Sequence, residues 1–354
     1  MLTIIRKIPP LLFLVSFSTV VTAQTVSNLR ELGAREYRAG HYAESESYFR
    51  AALQEAGIDD QRRAEVLSDL GTLLLDQERS VEAEEAYTKA LSLQKKADKR
   101  VTASLLRHLG AVYSLQRRDE EAISVLQRAL KIAKTPPINA ELTSAILNSL
   151  GVAYFRQSRL KKAEQFFRQG LETLANAGNK FEIYTAPLLN NLGAVYCGRR
   201  KYQLAEEFLI RSLNITAAQF GPLHTALIDS LDGLGVVYMK LGRYAEAEAQ
   251  YQRAIDILRQ HSPSPFDVRI ARSQKGLGDT YMQEGKLAEA EIALGEAVRI
   301  ARSNLTRSPD MVSVLESYSR LLVLMGKPQE AKDLHSEAQR ARVTIASTVR
   351  AFKP

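Results

Sequence analysis

The sequence predicts an all-α protein: a right-handed superhelical α-solenoid of about eight helix pairs with a C-terminal capping helix. Three observations carry that prediction. A Leu-Gly pair recurs in register at Gly33, Gly71, Gly110, Gly151, Gly193, Gly235 and Gly278, with a degenerate eighth copy at Ser319. Successive spacings are 38, 39, 41, 42, 42, 43 and 41 residues, too short a period for tandem globular domains. Around each glycine the apolar positions are the Leu before it, the residue two beyond and the Tyr three beyond, which is a helical stripe and not strand alternation. The 354-residue chain is 45% hydrophobic and 25% charged, which excludes disorder, and it is dominated by helix formers. One compact core rarely grows past roughly 250–300 residues, so an elongated array of pairs fits this length.

In chain order, residues 1–23 read as a secretory signal peptide. Arg6 and Lys7 precede an apolar stretch from Ile8 to Val21, and Val21 and Ala23 place small residues before a cut ahead of Gln24. An uncleaved anchor is the other reading, but Ser16, Ser18, Thr19 and Thr22 weaken the stretch as a span of about 20 apolar residues. Removing Arg6 and Lys7 takes the formal charge from +8 to 8 − 2 = +6. That mild excess, on an exported chain, gives no reason to expect nucleic acid. Cys197 is the one cysteine, so stability must come from packing rather than an internal disulfide.

Residues 24–341 form the predicted solenoid, and 342–354 the end of the capping helix and a tail. Each unit reads as a first helix around the glycine, a short turn such as "GHY", "GRY" or "GKL", and a second helix opening at an Ala-Glu or Glu-Ala pair. Ala83, Ala122, Ala163, Ala205, Ala247 and Ala290 follow their glycines at one constant offset, a dozen positions on. A Gly inside a helix costs roughly 1 kcal/mol against Ala, so its repetition implies a tight helix crossing in every unit. Pro137, Pro222 and Pro265 lie thirteen or fourteen positions before their glycines and are expected to start long first helices. Pro187, much nearer to Gly193, predicts a late start or a kink.

This Gly–Tyr–Ala–aromatic–Ala pattern resembles the tetratricopeptide repeat over about residues 27–341. The 42-residue spacing, with "FGPLHTALIDSLDGLGVVY" and "LLNNLGAVY", looks like the longer variant found in kinesin light chains. Units one and two depart from it, with Glu36 and Leu74 in place of the Tyr and Ser45 in place of the Ala. The resemblance implies a concave groove lined by first helices, and a protein or extended peptide as ligand. The candidate groove residues are Arg107, His108, Asn148, Arg156, Asn190, Asn191, Lys240 and Lys275. Asn amides can donate and accept along a peptide backbone, and Arg can hold a carboxylate by two parallel bonds, so a partner with acidic segments is expected.

Signals of catalysis are missing from this sequence. His41, His108, His224, His261 and His335 show no metal-ligand spacing, and no phosphate loop or nucleophile elbow occurs. Glu84/Glu85 and Glu206/Glu207 read as solvated faces with local i,i+4 partners. No catalytic residue, cofactor or metal is assigned. The expected function is a non-catalytic exported scaffold or adaptor. The alternative is an accessory subunit of an exported enzyme complex, or an enzyme whose site is unrecognisable.

Overall fold

The computed structural model describes residues 10–55, 57–77, 79–94, 99–261, 267–304 and 309–351. Arg6 and Lys7 lie outside them, as does Pro265. The described residues form eight helix pairs: α1 (Pro10–Arg38) with α2 (Tyr42–Gln54), α3 (Asp60–Asp76) with α4 (Ser80–Leu93), and α5 (Lys99–Leu115) with α6 (Asp119–Ala133). Then come α7 (Ala140–Arg156) and α8 (Leu160–Ala177), α9 (Ala186–Gly198) and α10 (Tyr202–Phe220), α11 (Ile228–Lys240) and α12 (Tyr244–His261). The last four are α13 (Val268–Glu284), α14 (Leu287–Asn304), α15 (Pro309–Leu324) and α16 (Pro328–Ala351). The chain divides into two compact units, residues 1–153 and 154–354. Among the described residues no helix is long and apolar enough to cross a membrane.

The glycine has a specific partner in six of the pairs. A Cβ on Gly33 would fall 2.7 Å from the Phe49 ring, one on Gly71 2.8 Å from Tyr87, and one on Gly110 2.5 Å from Leu126. In the second unit Gly193 meets Leu209, Gly235 meets Tyr251 and Gly278 meets Leu294 in the same way. In all six cases the knob stands at the same offset from its glycine, on the second helix. Ala83, Ala122, Ala163, Ala205, Ala247 and Ala290 are all fully buried, as close crossings require. Ser45, standing at this Ala position in pair one, is also buried and donates to the Gly33 carbonyl at 2.8 Å. The polar substitution is thus satisfied in place.

The turns repeat as closely as the helices. Among the described turns, the residue seven after the glycine, or after Ser319, takes a left-handed conformation. The next N–H closes a bond to the carbonyl of the residue three after the glycine. Arg118 to Tyr113 is 2.8 Å and Arg243 to Tyr238 is 2.9 Å. Gly40, Gly242, Gly285 and Gly326 fill this position freely, but Arg117 (φ 62), Ser158 (φ 58) and Arg200 (φ 59) do not. All three are exposed, and a side chain in that region costs roughly 1–2 kcal/mol. Arg117→Gly, Ser158→Gly and Arg200→Gly should each therefore stabilise the protein by about 0.5–1 kcal/mol, after the entropy that Gly gives the unfolded chain. Urea unfolding of the three variants checks this.

Two expectations change. Glu84 and Glu206 are not simply solvated. Each accepts from the turn cation of the following pair, Arg118 at 2.8 Å and Arg243 at 2.9 Å. Glu46 with Arg79 and Glu291 with Lys327 make the same rung at 2.6 Å, and Arg199 reaches Glu164 likewise. The cation also lies over a Tyr ring of its own pair, as Arg118 over Tyr113 and Arg243 over Tyr238. Half-exposed pairs of this kind contribute about 0.2–1 kcal/mol each, so they fix the stagger of neighbouring pairs while apolar burial holds them together. Second, Pro137 and Pro222 precede their helices and do not open them. Asn139 caps α7, accepting from the Leu142 N–H at 2.8 Å, and a 3-10 turn at Thr225–Leu227 leads into α11. Pro187 does sit in the first turn of α9, a late start after a 3-10 helix at Asn179–Thr185. The C-terminal capping segment continues helically as expected, as the last part of α16, which is also the second helix of pair eight.

Candidate functional site

First helices touch one another as well as their own partners: α1 with α3 and α3 with α5 in the first unit, and α9, α11, α13 and α15 in succession in the second. The residue three before the glycine is polar on every first helix of the seven glycine pairs. At Arg30, Asn190 and Asp232 it meets a neighbouring first helix. Arg30 donates to Asp69 at 2.6 Å and also pairs with Glu65. Ser230 donates to Asn190 at 3.3 Å, and Ser273 donates to Asp232 at 2.8 Å.

In the first unit this position on α5 is Arg107. Its Nη2 donates to His108 Nε2 at 2.7 Å. A guanidinium has only donors, so His108 must carry its proton on Nδ1, which faces the Tyr87 hydroxyl at 3.2 Å. Tyr87 in turn meets Thr72 at 2.9 Å, and Thr72 donates to the Ser68 carbonyl at 3.1 Å. The His108 ring also stacks on Tyr87, with centroids 5.2 Å apart. Burial and the neighbouring Arg107 charge push the His108 pKa down to about 3, so the imidazole is neutral. Arg107 is different. It makes no ion pair among the described residues, its Nε is buried with no hydrogen-bond partner, and burial pulls its pKa below the usual guanidinium value. It is a shielded positive charge without an anion.

Asn148 lies half-buried on α7 in the first unit. The remaining candidates belong to the second unit. Arg156 is half-buried at the end of α7, and Asn191 is half-buried on α9. Asn190 is held by Ser230, Lys240 is exposed at the end of α11, and Lys275 pairs with Asp279 one turn away at 2.8 Å. The structure thus joins Arg107 directly to His108 and places Asn190 and Lys275 at one register on α9 and α13. Among the described residues no group of three or more His, Cys, Asp or Glu side chains could hold a metal ion.

The profile of the tetratricopeptide repeat matches residues 62–135, 101–176, 184–260 and 269–342, well over half of the sequence. The chain belongs to the tetratricopeptide repeat family. Among solved structures it is similar to the apo form of the quorum sensor NprR from B. thuringiensis (TM-score 0.70, 15% identity, 92% of this chain and 88% of that one). It is also similar to a Rap protein complexed with Competence and Sporulation Factor (TM-score 0.68, 14% identity, 98% and 90%). A third is BtubC from P. vanneervenii (TM-score 0.52, 22% identity, 67% and 92%). At these identities the likeness is one of fold. No curated protein matches the chain.

Three side chains of this repeat array escaped the sequence reasoning as a group: Asp232, Tyr251 and Asp279. Tyr251 reads as an apolar position in the second-helix stripe, and its hydroxyl has no partner. The signal was available in a comparison of units. Tyr occupies the knob position only at Tyr87 and Tyr251, and the two partners of Tyr87, Thr72 and His108, are replaced by Val236 and Gly276.

Proposed function

We propose that this protein is a non-catalytic, exported scaffold whose first-helix face binds a protein or an extended peptide carrying acidic groups. Arg107 carries the reading. A largely shielded charge without an anion is expensive to keep, and leaving it so is unusual unless a ligand completes it. Nη2 is engaged by His108, whose neutral ring holds the guanidinium plane in place. A ligand carboxylate would meet a fixed, charge-assisted donor there. The family's fold supports binding over catalysis, since the similar Rap protein is complexed with Competence and Sporulation Factor. Export rests on Arg6, Lys7, the apolar stretch from Ile8 to Val21 and the small residue Ala23 before the cut.

The test is capture of partners from the exported fraction of the source cells, where the mature amino terminus should read Gln24. Wild type is compared with Arg107→Met and with Asn190→Ala/Asn191→Ala. Hydrogen bonds to charged groups contribute about 1.5–3 kcal/mol, so Arg107→Met should weaken a captured acidic partner roughly ten- to a hundredfold. The same substitution should leave folding stability equal or higher, because it removes an uncompensated buried charge. Unchanged affinity in Arg107→Met would show that the carboxylate reading is wrong. Unchanged affinity in the Asn variant would remove those two residues from the binding face.

A further inference from the structure

The turns of pairs four and five break the charge balance found in pairs two, three and six. There the turn cation meets a carboxylate on each side: Arg79 with Glu46 and Glu82, Arg118 with Glu84 and Glu121, Arg243 with Glu206 and Glu246. Pairs four and five instead place Arg159, Lys161 and Lys162 at the start of α8, and Arg199, Arg200 and Lys201 just before α10. Neither helix has an acid in its first turn. Glu164, the first acid of α8, is shared by Arg199, Arg168 and the Tyr196 hydroxyl, and Glu206 on α10 is taken by Arg243. Arg159, Lys161, Lys162, Arg200 and Lys201 are exposed and make no ion pair among the described residues.

Packing brings the two turns together. A Cβ on Gly198 would lie 3.4 Å from Leu160 Cδ1, and Arg199 pairs with Glu164, so the turn before α10 sits against the start of α8. Arg159 and Lys162 both lie over the Tyr154 ring, 4.9 and 5.2 Å from its centroid, which holds two like charges close together. Two of these choices work against the fold. Lys161 and Lys162 stand in the first turn of α8, where the helix macrodipole favours an acid. Arg200 holds a left-handed conformation, φ 59, where other pairs use glycine. Exposed residues that break local rules without a packing gain mark a role outside the fold.

The edge offers uncompensated positive charge to carboxylates from outside. Tyr154 is buried, and Leu160 and Tyr202 are half-buried, so these turns present no apolar or aromatic side chain to enter a bilayer. Charge spread over two turns matches a run of carboxylates better than a single small anion. We propose that this edge docks an acidic segment of a protein partner, a run of Asp and Glu side chains laid across the starts of α8 and α10. It rests on the reading of the chain as a protein-binding scaffold, and it uses turn residues of the second unit where that reading uses Arg107 of the first.

The probe is fluorescein-labelled octaglutamate amide, titrated with the full chain at low salt and followed by anisotropy. Labelled octaglutamine amide is the uncharged control. Saturable binding of the glutamate peptide, and none of the glutamine peptide, is expected. Lys161→Gln/Lys162→Gln and Arg200→Gly/Lys201→Gln should each weaken it roughly fivefold, since each removes two exposed charges from the edge. Lys131→Gln/Lys134→Gln removes the same charge from the exposed end of α6 and should change the affinity by less than about twofold. Both edge variants should be as stable as wild type or more so in urea, so a lost affinity is a lost contact and not a lost fold. The same differences are expected when every protein also carries Arg107→Met, which removes that residue's own claim on carboxylates. Equal losses in all three variants, or no binding of octaglutamate, overturns the edge. So does a chain that ignores octaglutamate yet sediments with phosphatidylglycerol vesicles only while Lys161 and Lys162 are present, which would make the edge a membrane contact. None of these results touches the Arg107 reading, which is decided by its own variant and the captured partner.

Discussion

Gly110→Ala should destabilise the protein by about 1 kcal/mol, while the same substitution at Gly295 should stabilise it by about 1 kcal/mol. Both glycines lie inside helices, and helix propensity favours Ala by roughly 1 kcal/mol at each. The difference lies in what the added methyl meets. On Gly110 it would stand 2.5 Å from Leu126 Cγ, the branching carbon of a fully buried side chain. Rotation about the outer bonds of Leu126 cannot clear that atom, so α5 and α6 must separate or Leu126 must leave its rotamer. Overpacking of this kind costs typically about 1–3 kcal/mol, and here it exceeds the propensity gain. On Gly295, in α14, the nearest atom would be the Tyr318 hydroxyl at 3.9 Å, so only the propensity term remains. Urea unfolding of the two variants measures both signs. A stabilised Gly110→Ala would mean that the recurring glycine is not set by the knob opposite it.

The helix pairs were legible in the sequence because what sets them is local. A Leu-Gly register, a Tyr one turn on and an Ala at a fixed offset beyond it are all visible within one period, and α1 to α16 follow from them. What escaped was set between periods. Glu84 and Arg118 are 34 residues apart and Glu206 and Arg243 are 37 apart, so their pairing depends on the stagger of adjacent units, which helical periodicity does not encode. The residue two before the glycine was assigned to the ligand face for the same reason. In His108 and Gly276 the structure shows that position lying over the knob of the preceding pair, Tyr87 and Tyr251. Proline gave the wrong helix starts because residues with side-chain acceptors, Asn139 and His224, offer the backbone a cap or turn a few residues later.

Asp232→Asn should stabilise the protein on the order of 4 kcal/mol at pH 8 and leave it nearly unchanged at pH 3. Burial between α11 and α13 raises the Asp232 pKa to about 7 from an unfolded value of 3.8, and the Ser273 hydroxyl and the Arg272 charge only partly oppose it. A carboxyl raised on folding binds its proton more tightly in the native state. The folded protein therefore holds more protons between pH 3.8 and 7, and stability falls as pH rises through that window. Above it the penalty is complete, at about 1.36 kcal/mol for each of about three pH units. Other carboxylates, such as Glu46 and Glu121, are pulled down by their arginines and make stability rise with pH in the acid range. Those contributions are common to both proteins and cancel in the difference. Asn keeps an acceptor for Ser273 and matches the native side chain in volume, so the variant removes the charge without opening a cavity. Denaturant midpoints for the two proteins from pH 4 to pH 8 should diverge steadily, with wild type the weaker at the high end. Parallel curves would mean that Asp232 is ionised and already compensated in the folded chain.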